Sequence, residues 1–126
     1  VWFYYDPPMA KWMMDNMKRH GALGKYRREV PVVVDGREVN VTFYVFHRHS
    51  KWNYVAVFPE DPTALIGHRV ALNISRIIDA VGDVHPKLSF GDKWLFAVEL
   101  GAELAYGPCQ FVLTVKHFKV WAPSEK

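Results

Sequence analysis

The stretch Val30-Pro31-Val32-Val33-Val34-Asp35-Gly36-Arg37-Glu38-Val39-Asn40-Val41-Thr42-Phe43-Tyr44-Val45 decides the fold. A run of β-branched residues meets Asp35-Gly36, and beyond it Val39, Val41, Phe43 and Val45 alternate with more polar neighbours. Alternation at period two places one row of side chains on one face of a strand, and Asp-Gly tolerates the positive φ angles that a two-residue turn demands. The stretch therefore predicts an antiparallel hairpin. Thr42, Tyr44 and Phe46, on the opposite face, are not strongly polar, so that face is expected to be partly covered, with the first helix as the candidate cover.

That helix is predicted upstream. Asp6 can cap free amides, Pro7 and Pro8 suit a first turn, and Met9, Trp12, Met13, Asn16, Met17 and His20 recur at helical spacing until Gly21 stops the run. The blander role for this methionine-rich face is packing on the sheet rather than binding a partner.

Downstream, Trp52 to Phe58 is a further strand candidate, ended by Pro59-Glu60-Asp61-Pro62. Residues 64–80 are ambiguous: Val70, Leu72, Ile74, Arg76 and Ile78 follow a strand period, while Leu65, Arg69, Leu72 and Arg76 suit a helix with Ile77 and Ala80 nearby. A strand through Ile74 is the expectation, followed by a loop over 82–91. Trp94 to Leu100 and Phe111 to Trp121 read as the last two strands, joined by a connector with Gly101, Gly107 and Pro108.

The fold class that results is β-rich α+β. We expect a small five- or six-stranded partly open barrel, OB-like in architecture, or a curved antiparallel sheet, with an N-terminal amphipathic helix; a β-sandwich is the alternative. A length of 126 residues suits one compact domain over 1–121, with 122–126 as a solvated tail. Half of the residues are hydrophobic and 23% charged, as in folded rather than disordered chains.

No apolar run is long enough to cross a membrane as a helix, so integral membrane association is not expected. The single Cys109 excludes an internal disulfide and a cysteine-based zinc site, and inclines the reading toward a reducing, intracellular setting. Asn40-Val41-Thr42 and Asn73-Ile74-Ser75 point the other way, since both match the glycosylation pattern of secreted chains. Val1 stands where an initiator Met would, and Trp2-Phe3-Tyr4-Tyr5 already has the composition of folded material, which leaves room for a targeting segment upstream.

Enzymatic chemistry is poorly supported. His47 and His49 would point the same way on a strand, as a metal pair requires, but a third ligand from His68, His85 or His117 would have to arrive through the fold. Neither Asp79 with Asp83 nor Glu99 with Glu103 declares a cleft for acid–base work. Ser50, Ser75 and Ser89 lack the setting of a nucleophile elbow, and no glycine-rich phosphate loop occurs. No cofactor or metal is implied.

Binding is the better lead. The chain carries five Trp, six Tyr and eight Phe with a net charge of +3, a combination suited to stacking on bases while neutralising phosphates. Between Lys11 and Arg28, six cations (Lys11, Lys18, Arg19, Lys25, Arg27 and Arg28) face Asp15 alone. Lys25, Arg27 and Arg28 form one candidate patch; Arg48, Lys51, Trp52 and Tyr54 form a second, with both rings expected on one strand face; Lys116, Phe118 and Lys119 form a third. On a concave sheet the cations would hold a phosphate chain while Trp52, Tyr54 or Phe118 stacked exposed bases. The competing reading gives the rings to the core and the charges to solvent. Single-stranded DNA or RNA is thus the expected partner. A protein partner or a second copy of the chain is the alternative, and a secreted carbohydrate-binding module comes third.

Overall fold

The structure, a computed structural model, describes residues 1–88, 90, 93, 95, 97–100 and 112–121. The chain clusters into two compact units, Val1–Asp92 and Lys93–Lys126. In the first unit a helix, α1 (Pro7–His20), leads through a 3-10 turn (Leu23–Tyr26) into β1 (Arg27–Val34), β2 (Arg37–His49), β3 (Asn53–Pro59), the two-residue β4 (Val70–Ala71) and a second helix, α2 (Ile74–Val84). The strands form one curved antiparallel sheet, a half-barrel in the order β3-β2-β1-β4, with the N-terminal helix that the sequence predicts.

The β1–β2 hairpin sets the geometry. Asp35 (φ 51°) and Gly36 (φ 82°) both take positive φ, the primed turn whose twist matches that of the strands it joins. Val34 consequently pairs with Arg37, and the register runs through Val30 opposite Val41 to Arg27 opposite Tyr44. The Asp35 carboxylate also reaches beyond the hairpin. It accepts from the Arg69 amide at 3.0 Å and from His68 Nδ1 at 2.7 Å, while the Asp35 amide donates to the Arg69 carbonyl. The Arg69 amide, then His68, hold this carboxyl below its ordinary range. One turn residue thus pins the 60–69 connection and starts β4. Pro31, which has no amide to give, sits on β1 short of the only two β1 residues, Val33 and Val34, that pair with β4.

Pairing of β2 with β3, Val45 opposite Val57 and Phe46 opposite Ala56, sorts the side chains onto two faces. On one face, Val30, Val32, Phe43, Val45 and Val57 are buried with Ile77, Ala80, Val81 and Val84 of α2. On the other, Tyr44 and Phe58 stack at 5.7 Å, Tyr5 meets Phe58 edge-on at 5.3 Å, and Trp12 of α1 meets Phe46 at 5.5 Å. Phe43 to Phe46 are therefore all buried in succession, and the partial cover expected from the first helix is supplied by α1 together with the aromatic segment before it. The α1 start is the one read from sequence: Asp6 accepts from the Met9 amide, prolines occupy the first turn, and Met13 and Met17 face the core.

Two expectations are corrected. The strand predicted through Ile74 stops at Ala71, because the Asn73 side chain accepts from the Ser75 and Arg76 amides and opens a helix instead. Ile77, Ala80, Val81 and Val84 then fall on one helical stripe, and Gly82 to Val84 lie in that helix rather than in the predicted loop. The alternation from Val70 to Ile78 was a weaker cue than a cap followed by an apolar i, i+3, i+4, i+7 row.

In the second unit, described residues 95, 97–100 and 112–121 carry no strand, against the two strands predicted there. Alternating β-formers become a strand only when an edge pairs with them, and these find none among the described residues. Leu95, Val112, Phe118 and Val120 are exposed. Trp94, Phe96, the Gly101–Gly107–Pro108 connector, Cys109 and the 122–126 tail lie outside the described residues.

Phe43, fully buried at the centre of the sheet, is expected to be the costliest truncation: Phe43→Ala should lower stability by about 3–5 kcal/mol in denaturant titration. Asn73→Ala removes only the cap of α2 and should cost about 1 kcal/mol, with the loss of helical circular dichroism confined to a minor fraction.

Candidate functional site

Of the three basic patches read from the sequence, the first is taken apart by the fold. Lys25 lies in the 3-10 turn with its ammonium 5.7 Å from the Tyr26 ring centroid. Arg27 opens β1, and its guanidinium grips Glu60 at both oxygens, Nε to Oε2 at 2.5 Å and Nη2 to Oε1 at 3.1 Å. Arg28 points to the opposite face, where it donates to the backbone carbonyls of Lys25, Arg27 and Asp83. Consecutive strand residues cannot share a face, so Arg27 and Arg28 do not act as a pair. One is matched by a carboxylate and the other ties β1 to the end of α2.

The second patch is brought closer together. Arg48 and Tyr54 are direct cross-strand partners near the turn end of the β2–β3 hairpin, and the Arg48 guanidinium lies 5.9 Å from the Trp12 ring centroid. A cation held over an aromatic face is attracted by the ring quadrupole and loses conformational freedom, which prepares it to meet an anion. Lys51 and Trp52 form the hairpin tip, where the Ser50 amide donates to the Trp52 carbonyl at 3.1 Å. Trp52 is 66% exposed, whereas Tyr54 is half-buried. The two rings do not share a strand face, because β3 begins at Asn53 and the alternation does not reach back to Trp52. No carboxylate occurs between Phe46 and Pro59, so nothing on this hairpin end neutralises its cations from within.

Trp12 is the participant that sequence reasoning missed. Its helical spacing assigned it to the core face of α1, yet it is 39% exposed and splits its ring between Phe46 below and Arg48 beside it. Neither the Met/Trp spacing nor the charge pattern carries a signal for that position; only the packing of α1 on the sheet does.

Lys116, Phe118 and Lys119 belong to the second unit and are exposed there. The first two patches are separated along β2: Tyr44, opposite Arg27, stands four residues from Arg48, roughly 13 Å at the rise of a strand.

The histidines form a different arrangement from the one considered for a metal. His47 Nε2 lies 2.9 Å from Asn53 Oδ1, and the His47 and His85 ring centroids are 5.1 Å apart. Among the described residues, no three His, Cys, Asp or Glu side chains converge as a metal would require. An open hollow of about 760 Å³ lies by the β1–β2 turn and is lined by Asp35, Arg37, Asn40, Thr42, Glu60 and Asp61 among others. Its carboxylates are already engaged: Asp35 by Arg69 and His68, Glu60 by Arg27, and Asp61 by Thr63. Among the described residues no helix is long and apolar enough to cross a membrane. Compared with models of protein families, with curated proteins and with solved structures, the chain matches none.

Proposed function

We propose that this chain is a non-catalytic binding domain for single-stranded nucleic acid, and that it engages the strand at the β2–β3 hairpin end. Arg48 and Lys51 supply phosphate contacts, Trp52 stacks on an unpaired base, and Tyr54 and Trp12 flank them. The supporting observation is the combination at that tip: an exposed Trp52 beside Lys51, with Arg48 held over Trp12, on a hairpin end with no carboxylate between Phe46 and Pro59. Stacking on a Trp is tolerant of base identity, and two cations near it track a backbone rather than read a sequence. Arg27 and Arg28 are left out of the site because Glu60 and three backbone carbonyls already hold them.

A protein partner is the second reading, favoured by the edge of β1. Only Val33 and Val34 pair with β4, which leaves the preceding β1 residues without a second neighbour among the described residues, and such an edge accepts an added strand. Pro31 on that edge weakens the template.

Fluorescence anisotropy with a labelled single-stranded oligonucleotide, at low and moderate salt and with duplex DNA, RNA and a neutral glycan as competitors, tests the proposal. Saturable binding that weakens with salt is expected. Trp52→Ala should lower affinity about tenfold, the double variant Arg48→Ala/Lys51→Ala should reduce the salt slope by about 1.4, and Arg27→Ala should change little. An absence of binding at micromolar protein in low salt rejects the reading. In that case a rise of molecular mass with concentration points to strand addition at the β1 edge.

A further inference from the structure

On the face of the sheet away from Trp12 and Arg48, three rings from three elements stand in series. Tyr26 ends the 3-10 turn, His85 follows the last residue of α2, and His47 comes from β2; the centroids are 6.1 Å apart for Tyr26 and His85 and 5.1 Å for His85 and His47. His85 is half-buried, and its Nε2 donates to the Val45 carbonyl at 3.2 Å, forty residues away in sequence. Its backbone amide closes the last turn of α2 on Val81, and the Leu88 amide donates to its carbonyl. Beside it, Arg28 reaches the Asp83 carbonyl. The C-terminal end of α2 is thus fastened to the sheet at two points, a guanidinium that stays charged and an imidazole that titrates.

The surroundings of that imidazole are unsuited to a charge. The Val45 carbonyl fixes the hydrogen on Nε2, so a second proton must go to Nδ1 and make the ring a cation. The charged groups placed against it are His47 from β2 and Lys25 from the 3-10 turn, while the Arg28 guanidinium of β1 sits on the Asp83 carbonyl two residues back. His47 and Lys25 act on it, and both oppose a further positive charge. Desolvation by burial opposes it most, the Val45 carbonyl favours it, and the balance keeps the His85 pKa below the ordinary imidazole value. As the C-cap of α2, His85 also feels the negative end of the helix, which favours a cation, and the net lowering of its pKa shows that burial outweighs this as well.

From this arrangement we infer that the Tyr26–His85–His47 stack is a proton-sensitive latch, which holds the end of α2 on the sheet at neutral pH and loosens it in acid. The sign follows from linkage. A histidine whose pKa is lowered in the docked state binds fewer protons there than when released. Docking is therefore at full strength above the ordinary histidine range, weakens as pH falls through that range, and levels off below the lowered value. Release begins at the α2 end, since the rings packed on Phe58 at the sheet centre belong to Trp2, Tyr5 and Tyr44, none of which changes charge in this range.

Histidine ring resonances followed by NMR, together with amide protection factors at about pH 7.5 and about pH 5, test the latch on the whole chain. His85 should titrate below the ordinary histidine value. Protection at Val81 to Val84 should fall relative to Val45 and Val57 on going from the higher to the lower pH, because the released ring binds a proton more tightly than the docked one. The His47→Asn variant removes the neighbouring cation and leaves the Val45 bond, so the His85 titration should move upward and the pH-dependent loss of protection should shrink. A His85 titration at or above the ordinary value, or α2 protection that follows that of β2 at both pH values, overturns the inference; so does a His47→Asn variant with the same pH dependence as the parent.

Discussion

A turn at positive φ fixes the pairing of Val34 with Arg37, and that pairing dictates which way every side chain of β2 points. A slip of one residue would move Phe43 and Val45 from the α2 side to the α1 side and bring Tyr44 and Phe46 in the reverse sense. Both faces of β2 are buried at this point, so a slip would not simply expose apolar groups. It would exchange aliphatic and aromatic layers that fit different helices. The Asp35 carboxylate strengthens the constraint by tying the same turn to Arg69 and His68, so that the hairpin register and the start of β4 are set by one residue.

The same parity separates the chemistry of the chain. On β2, His47 goes with Phe43 and Val45 to the α2 side, while Arg48 goes with Tyr44 and Phe46 to the α1 side. Histidine next to arginine in sequence thus becomes a titratable group against His85 on one face and a cation against Trp12 on the other. The pair Arg27 and Arg28 is divided in the same way, with Glu60 on one side and the end of α2 on the other. Runs of basic residues in a strand are a poor guide to a basic surface for this reason: a strand distributes neighbours to opposite sides, whereas a helix or an irregular loop can gather them.

Legibility in the sequence followed the range of the interactions. Asp6 before two prolines and Asp35-Gly36 between alternating runs are local signals whose physics is complete within a few residues, and α1 and the β1–β2 hairpin stand where those signals predict them. Residues 70–84 carried two periods at once, and the Asn73 cap decided for the helix, a cue that was present in the sequence and outweighed by the alternation around it. The meeting of Trp12 with Arg48 was not legible, because it depends on how α1 lies across a sheet built from residues thirty and more positions later. The Glu60 clamp on Arg27 was hidden for the same reason: thirty-three residues separate the partners, and charge counting treats both as free.

What the core requires also limits where a ligand can be met. Four successive buried residues, Phe43 to Phe46, remove the middle of β2 from any contact with solvent. At one end of the hairpin, Asp35, His68 and Arg69 tie the turn to the 60–69 connection, and the neighbouring carboxylates discourage a polyanion. The opposite end has none of these commitments. There Trp52 stands in solvent where a buried position would have been worth about 2 kcal/mol or more to folding, and no carboxylate occurs between Phe46 and Pro59 to meet Arg48 and Lys51. The two ends of β2 therefore differ in kind: the Asp35 end is tied down through its carboxylate, whereas the Arg48–Tyr54 end, the surface proposed above for binding, carries its cations and an exposed ring on a stretch with no carboxylate between Phe46 and Pro59.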